Sequence, residues 1–108
     1  MNTEVLTDYL GRSVRLTDER RQHVLQHHPE MAECVDKIGS VLAHPERVVR
    51  SHFDPESELY YVWQPQTRVG SKYLCVVVVV KESDAFVLTA YLSDSIKKGI
   101  VLWPRNNM

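Results

Sequence analysis

The apolar run LCVVVVV, residues 74 to 80, constrains the fold more than any other segment of this chain. Valine is branched at Cβ, which stiffens χ1 and disfavours helix, and the run is far too short to cross a membrane. It reads as a strand buried on both faces. The alternating stretch AFVLTAYL, residues 85 to 92, follows after a short polar turn. Successive strand side chains point to opposite faces. Phe86, Leu88, Ala90 and Leu92 are therefore expected to meet a covering layer, with Ala85, Val87, Thr89 and Tyr91 on the opposite face.

The remaining segments supply that layer. Residues 1 to 12 read as a peripheral helix or arm ending near Gly11, and Ser13 to Leu16 as a short strand. Thr17 is a hydroxyl N-cap, with Asp18 and Glu19 in a first turn where carboxylates suit the helix dipole. That helix is expected to run to His27 and stop before Pro29. A second helix is expected from Glu30 to Leu42, its Met31, Cys34, Val35, Ile38, Val41 and Leu42 forming one apolar stripe. Strands follow at 47 to 54, 59 to 64, 72 to 80 and 85 to 92. A single helical turn is expected at Asp94 to Lys98, and a short apolar segment at Ile100 to Trp103. Short turns make successive strands antiparallel neighbours. The expected fold is one α+β domain over residues 1 to 108, with two N-terminal helices on one face of an antiparallel sheet of about four strands. The other face is left open for a site.

Thirteen basic and fourteen acidic residues leave a formal charge of −1, which argues against a nonspecific nucleic-acid coat but not against a local basic site. No apolar stretch is long enough to span a membrane and the N-terminus lacks a signal-peptide core, so cytoplasm is expected. Cys34 and Cys75 sit among apolar neighbours and read as buried free thiols. Without a CxxC pair a structural zinc is not expected, nor is any other cofactor.

On the strand from residue 47, Val49 and Phe53 are expected to look inward, sending Val48, Arg50 and His52 outward. Tyr60 and Tyr61 must point to opposite faces. Lys72 begins the valine strand, while Lys97 and Lys98 lie near the far end of the next. The candidate constellation is Arg50, one of the tyrosines, Thr89 and Tyr91, with lysines at its rim. Arginine binds phosphate as a fork, hydroxyls hold further oxygens, and tyrosine rings stack on unpaired bases. The same residue types are also ordinary occupants of a solvated sheet face. His23 and His27, four apart, share one helix face. Either suits proton transfer near neutral pH, and His27 lies nearer the helix end. With Glu19 they are a zinc candidate, but the HExxH arrangement is missing.

Taken in order, RLTDERRQHVLQHHPEM (15 to 31), HPERVVRS (44 to 51), KYLCVVVVVKESDAFVLTAYLSD (72 to 94) and KKGIVLW (97 to 103) resemble the barnase–EndoU–colicin–RelE-like nucleases of phages and bacteria. The resemblance implies two helices followed by a four-stranded antiparallel sheet. It also implies metal-independent cleavage of RNA to a 2′,3′-cyclic phosphate, often by the toxin of a toxin–antitoxin pair. Carried over, the catalytic residues are His27 (or His23), Arg50, Thr89 and Tyr91. His23, Tyr60, Tyr61, Lys72 and Lys97 are expected to hold substrate. RNA is the expected substrate, and an antitoxin or other protein the expected partner. The alternatives are a noncatalytic RNA- or protein-binding module on the same scaffold and a zinc-dependent hydrolase.

Overall fold

A computed structural model describes residues 2 to 105. Residue 1 of the expected arm and residues 106 to 108 of the expected domain lie outside that range.

The N-terminal segment is a strand, not a helix or loose arm. β1 (Thr3–Thr7) forms an antiparallel hairpin with β2 (Ser13–Thr17). The turn between them is built on Asp8, whose carboxylate accepts the backbone N–H groups of Leu10 and Arg12 at 3.0 and 2.8 Å. Gly11 supplies the positive φ (83°) that this turn requires. Helix α1 (Asp18–His27) begins where expected: the Thr17 hydroxyl accepts the Arg20 N–H at 3.1 Å.

The expected second helix is broken. Residues Pro29–Glu33 and Val35–Lys37 are 3-10 turns, and only α2 (Ile38–Ala43) is α-helical. Met31, Cys34, Val35, Ile38, Val41 and Leu42 are nevertheless all buried. Most of these positions recur at intervals of three as well as three to four, so 3-10 turns bury the same stripe. None of the three pieces has a side-chain cap to hold a regular α-helical start.

The expectation of a sheet of about four antiparallel strands is overturned. β3 (Arg47–Ser51), β4 (Ser57–Thr67), β5 (Gly70–Val80), β6 (Ala85–Ser93) and β7 (Gly99–Trp103) join the hairpin in a seven-stranded sheet ordered β1-β2-β6-β5-β4-β3-β7. It is mixed, because β2 pairs parallel to β6 through Arg15 and Phe86. Of the added strands, β2 was expected as a short strand at Ser13 to Leu16, whereas β1 and β7 come from the two chain ends, where exposed side chains dilute the alternating pattern. No helical turn forms at Asp94 to Lys98. The chain instead crosses there to lay β7 against β3. Gly99 permits the close approach, since a Cβ at that position would stand 2.3 Å from the Arg50 carbonyl oxygen.

Two apolar clusters lie on the two faces of the sheet. The larger joins α1, α2 and the 3-10 turns to Val14, Leu16, Val48, Tyr60, Leu74, Val76, Val78, Ala85, Val87 and Ala90. The smaller, on the face away from the helices, is Val49, Leu59, Tyr61, Cys75 and Val77, with Tyr73, Leu88, Tyr91 and Ile96 packed against it. The valine strand therefore has both faces buried.

Two expected orientations are reversed. A β-bulge between β5 and β6 pairs Val77 with Thr89 but Val78 with Val87, leaving Leu88 as the extra residue. The alternation of β6 is reset there. Ala85 and Val87 point to the helices and Leu88 joins the open-face cluster, whereas Ala90 and Leu92 stay on the helix side. In β3, Val48 faces the helices and Val49 the open face. Phe53 lies beyond the strand and is 99% exposed. Two adjacent valines carry no information about phase, so the sequence pattern chose wrongly.

Candidate functional site

The reversal in β3 divides the predicted constellation. Thr89 and Tyr91 share the open face as expected, and both line a cavity of about 710 Å³ with His52, Phe53, Leu59, Lys97 and Lys98. Arg50 is on the other side. It pairs with Glu58 and lines an 800 Å³ cavity with Tyr9, Arg12, Glu58 and Trp103. The basic strand residue of the open face is Arg47, which pairs with Tyr61 and lines an adjoining cavity of about 410 Å³. His52, Lys97 and Lys98 border both open-face cavities.

Tyr60 and Tyr61 split as they must. Tyr60 points to the helix side, where its hydroxyl donates to Asp8 at 3.1 Å and accepts from Arg12 at 3.0 Å. Tyr61 is buried on the open face, and its hydroxyl accepts the Lys97 backbone N–H at 3.1 Å. That bond ties the lysine-bearing segment to the centre of the sheet. Lys72 is engaged by Asp94 and does not line the cavity.

The helix histidines are not gathered at this site. His23 and His27 stack on each other on α1, with ring centroids 4.2 Å apart, and the His27 Nδ1 lies 3.1 Å from the His23 carbonyl oxygen. Desolvation, and then the neighbouring His27, Arg20 and His28, holds the His23 imidazole below its ordinary pKa. No group of three or more His, Cys, Asp or Glu side chains suited to a metal occurs among the described residues, so the pair finds no third ligand there. His28, the C-cap of α1, has its ring 5.7 Å from that of Tyr91 but lines neither open-face cavity.

Electrostatics separate the two faces. On the helix side Asp8 and Glu58 are buried carboxylates, but Arg12 reaches both at 2.7 Å. That network is internally satisfied. On the open face Arg47, Lys97 and Lys98 are exposed and form no ion pair among the described residues. The carboxylate lining their cavity, Asp54, is occupied with the Ser57 hydroxyl at 2.8 Å and the Glu56 N–H at 3.1 Å. Lys97 also lies over the Tyr91 ring, with Nζ 5.9 Å from its centroid.

The open-face cluster that includes Tyr61, Cys75 and Tyr91 holds its protons tightly. Burial pushes the Cys75 thiol up to about 11, against the opposing influence of the neighbouring Tyr91 and Tyr61 hydroxyls. Burial, and then the Cys75 thiol, raises the Tyr61 and Tyr91 phenols above their ordinary range. All three are neutral at physiological pH. Thr89 adds the hydroxyl oxygen Oγ1, which is buried and has no hydrogen-bond partner among the described residues. A buried unpaired hydroxyl is costly, and such costs concentrate where a ligand supplies the missing partner.

Of the residues expected from sequence, Thr89, Tyr91, Tyr61 and Lys97 come together. Arg50, Tyr60, Lys72, His23 and His27 do not join them. Arg47 and His52 are the additions, and Lys98, expected at the rim, joins them. Arg47 was detectable as the other arginine of RVVR, three residues from Arg50 and so on the opposite face of a strand.

Comparison with models of known protein families, with curated proteins and with solved structures found no match. No helix among the described residues is long and apolar enough to cross a membrane.

Proposed function

We propose that the open face is the active site of a metal-independent endoribonuclease. One observation carries this reading: three cations without ion-pair partners, Arg47, Lys97 and Lys98, surround cavities that also hold His52 and the unsatisfied Thr89 hydroxyl. A phosphodiester is an anion with several acceptor oxygens, which suits such a set. In the proposed reaction the ribose 2′-oxygen attacks the adjacent phosphorus. The new O2′–P bond forms as the P–O5′ bond breaks, leaving a 2′,3′-cyclic phosphate and a 5′-hydroxyl. His52 takes the 2′-hydroxyl proton, and water from the open cavity protonates the departing O5′. Arg47 and the two lysines stabilise the equatorial oxygens as charge develops. Thr89 donates its hydroxyl to one of them once rotation about χ1 turns the buried Oγ1 towards the cavity. The nucleophile belongs to the substrate, so the scheme requires no metal, and DNA is expected to resist cleavage.

A noncatalytic RNA-binding face is the second reading, favoured by the exposed rings of Phe53 and Trp63 on or beside this surface. One assay separates the two. Labelled RNA, matched DNA and RNA with blocked 2′-hydroxyls are incubated with the protein, each with and without chelator. Cleavage of RNA alone, insensitive to chelator and lost in Arg47→Ala and His52→Ala, supports the nuclease. Binding without cleavage of any RNA supports the second reading and removes the first.

A further inference from the structure

Phe53 is 99% exposed, yet its backbone is held in place. The Ser51 hydroxyl accepts the N–H groups of Phe53 and Asp54 at 3.1 and 3.3 Å, and the Asp54 carbonyl accepts the Ser57 N–H at 2.9 Å. The loop thus presents an aromatic ring at the cavity wall while contributing nothing of that ring to the core. His52 precedes it, and Lys97 and Lys98 lie across the same cavity. A ring displayed among unpaired cations suits a partner that is flat, aromatic and anionic. Nucleic acid with unpaired bases has those properties, because its π-faces stack on aromatic side chains while its phosphates meet lysine and arginine. A base-paired duplex keeps its π-faces inside the stack. An apolar protein surface matches the ring but not the cations.

We infer that Phe53 is a stacking post for an unpaired base next to the phosphate held by Lys97 and Lys98, which makes single-stranded RNA the substrate class. This rests on the nuclease reading for its chemistry, but the recognition it describes is separable from cleavage. Phe53 is a positioning residue that touches the base and takes no part in proton transfer.

The test uses a labelled, noncleavable 2′-O-methyl oligonucleotide, offered to the full chain as a single strand and as a duplex with its complement. Phe53→Ala is expected to weaken single-strand binding by about tenfold or more, the usual scale for losing one base–aromatic stack. Duplex binding is expected to be unchanged. Phe53→Trp restores affinity, and its emission is quenched as the strand binds. Equal single-strand affinity of wild type and Phe53→Ala overturns the inference. So does an unquenched Phe53→Trp, or a Phe53→Ala chain whose one altered property is loss of self-association in sedimentation. With cleavable RNA, the stacking post predicts a raised KM and little change in kcat for Phe53→Ala. A wild type that binds through Phe53 but cleaves no RNA removes the nuclease reading and leaves the stacking post standing. Cleavage by wild type with an unaltered KM in Phe53→Ala removes the post and leaves the nuclease.

Discussion

Thr89→Val tests whether the orphan hydroxyl is there for function. Thr89 sits at the β6 bulge opposite Val77, and its Oγ1 is buried without a partner. Holding a hydroxyl in that state costs about 1–3 kcal/mol relative to one that is hydrogen-bonded or hydrated. Valine keeps the branched shape that suits a strand and replaces the oxygen with a methyl group. The expected outcome is stabilisation by about 1 kcal/mol, read in urea titration as a higher midpoint with an unchanged m-value. In a domain of this size that is a rise in Tm of about 4 °C. RNA cleavage should fall by about tenfold or more, because the donor to a phosphoryl oxygen is gone. Thr89→Ser, which keeps the hydroxyl, should retain activity while losing about 1 kcal/mol of stability with the buried methyl. If Thr89→Val destabilises the protein, the hydroxyl has a structural partner and the reasoning fails. A stabilised variant with full activity would refute the functional half alone.

Opposite strand faces separate the two arginines of RVVR, so Arg47→Ala should lower RNA cleavage by about tenfold or more while Arg50→Ala leaves it near wild type; steady-state kinetics on one labelled RNA decides this. Arg12→Met should destabilise the fold by about 3–5 kcal/mol in urea titration, because it strands the buried Asp8 and Glu58 carboxylates together. Pairing it with Glu58→Gln should recover part of that loss. The fold should also weaken in alkali. Tyr60, Tyr61, Tyr91 and Cys75 all hold their protons more tightly when folded, chiefly through burial. Their contribution is fully present below the unfolded values, about 8.5 for the thiol and about 10 for the phenols, and is lost as pH climbs towards the folded ones. Melting temperatures measured across that window should fall as tyrosinate absorbance rises; a flat profile would contradict the assigned burial.

Much of the site was readable as residue types, much less as geometry. Thr89 and Tyr91 are two apart near the end of an alternating strand, and that spacing alone puts them on one face. It held because the bulge falls before them. The same bulge, one residue long, reversed the assignments of Phe86, Leu88, Ala85 and Val87 upstream. In β3 nothing in Arg47-Val48-Val49-Arg50 says which valine meets the helices, since both are fully buried. Arg50 was consequently placed on the wrong face. The histidines failed for another reason. The spacing of His23 and His27 correctly makes them neighbours, but where α1 sits against β6 determines that His28, beyond the last turn, is the one beside Tyr91.

By itself, the sequence determined the local elements: a valine strand buried on both faces, the Thr17 cap, the end of α1 before Pro29, the apolar stripe from Met31 to Leu42, and the shared face of Thr89 and Tyr91. These depend on backbone sterics, capping and short-range periodicity, which act over a few residues. The tertiary structure alone decided the seven-stranded count, the parallel β2–β6 junction, the phase of β3 and the gathering of Arg47, His52, Lys97 and Lys98. Those features depend on pairings between segments far apart in the chain. A one-residue shift in register turns every side chain of a strand to the other face, and no short-range pattern encodes that shift.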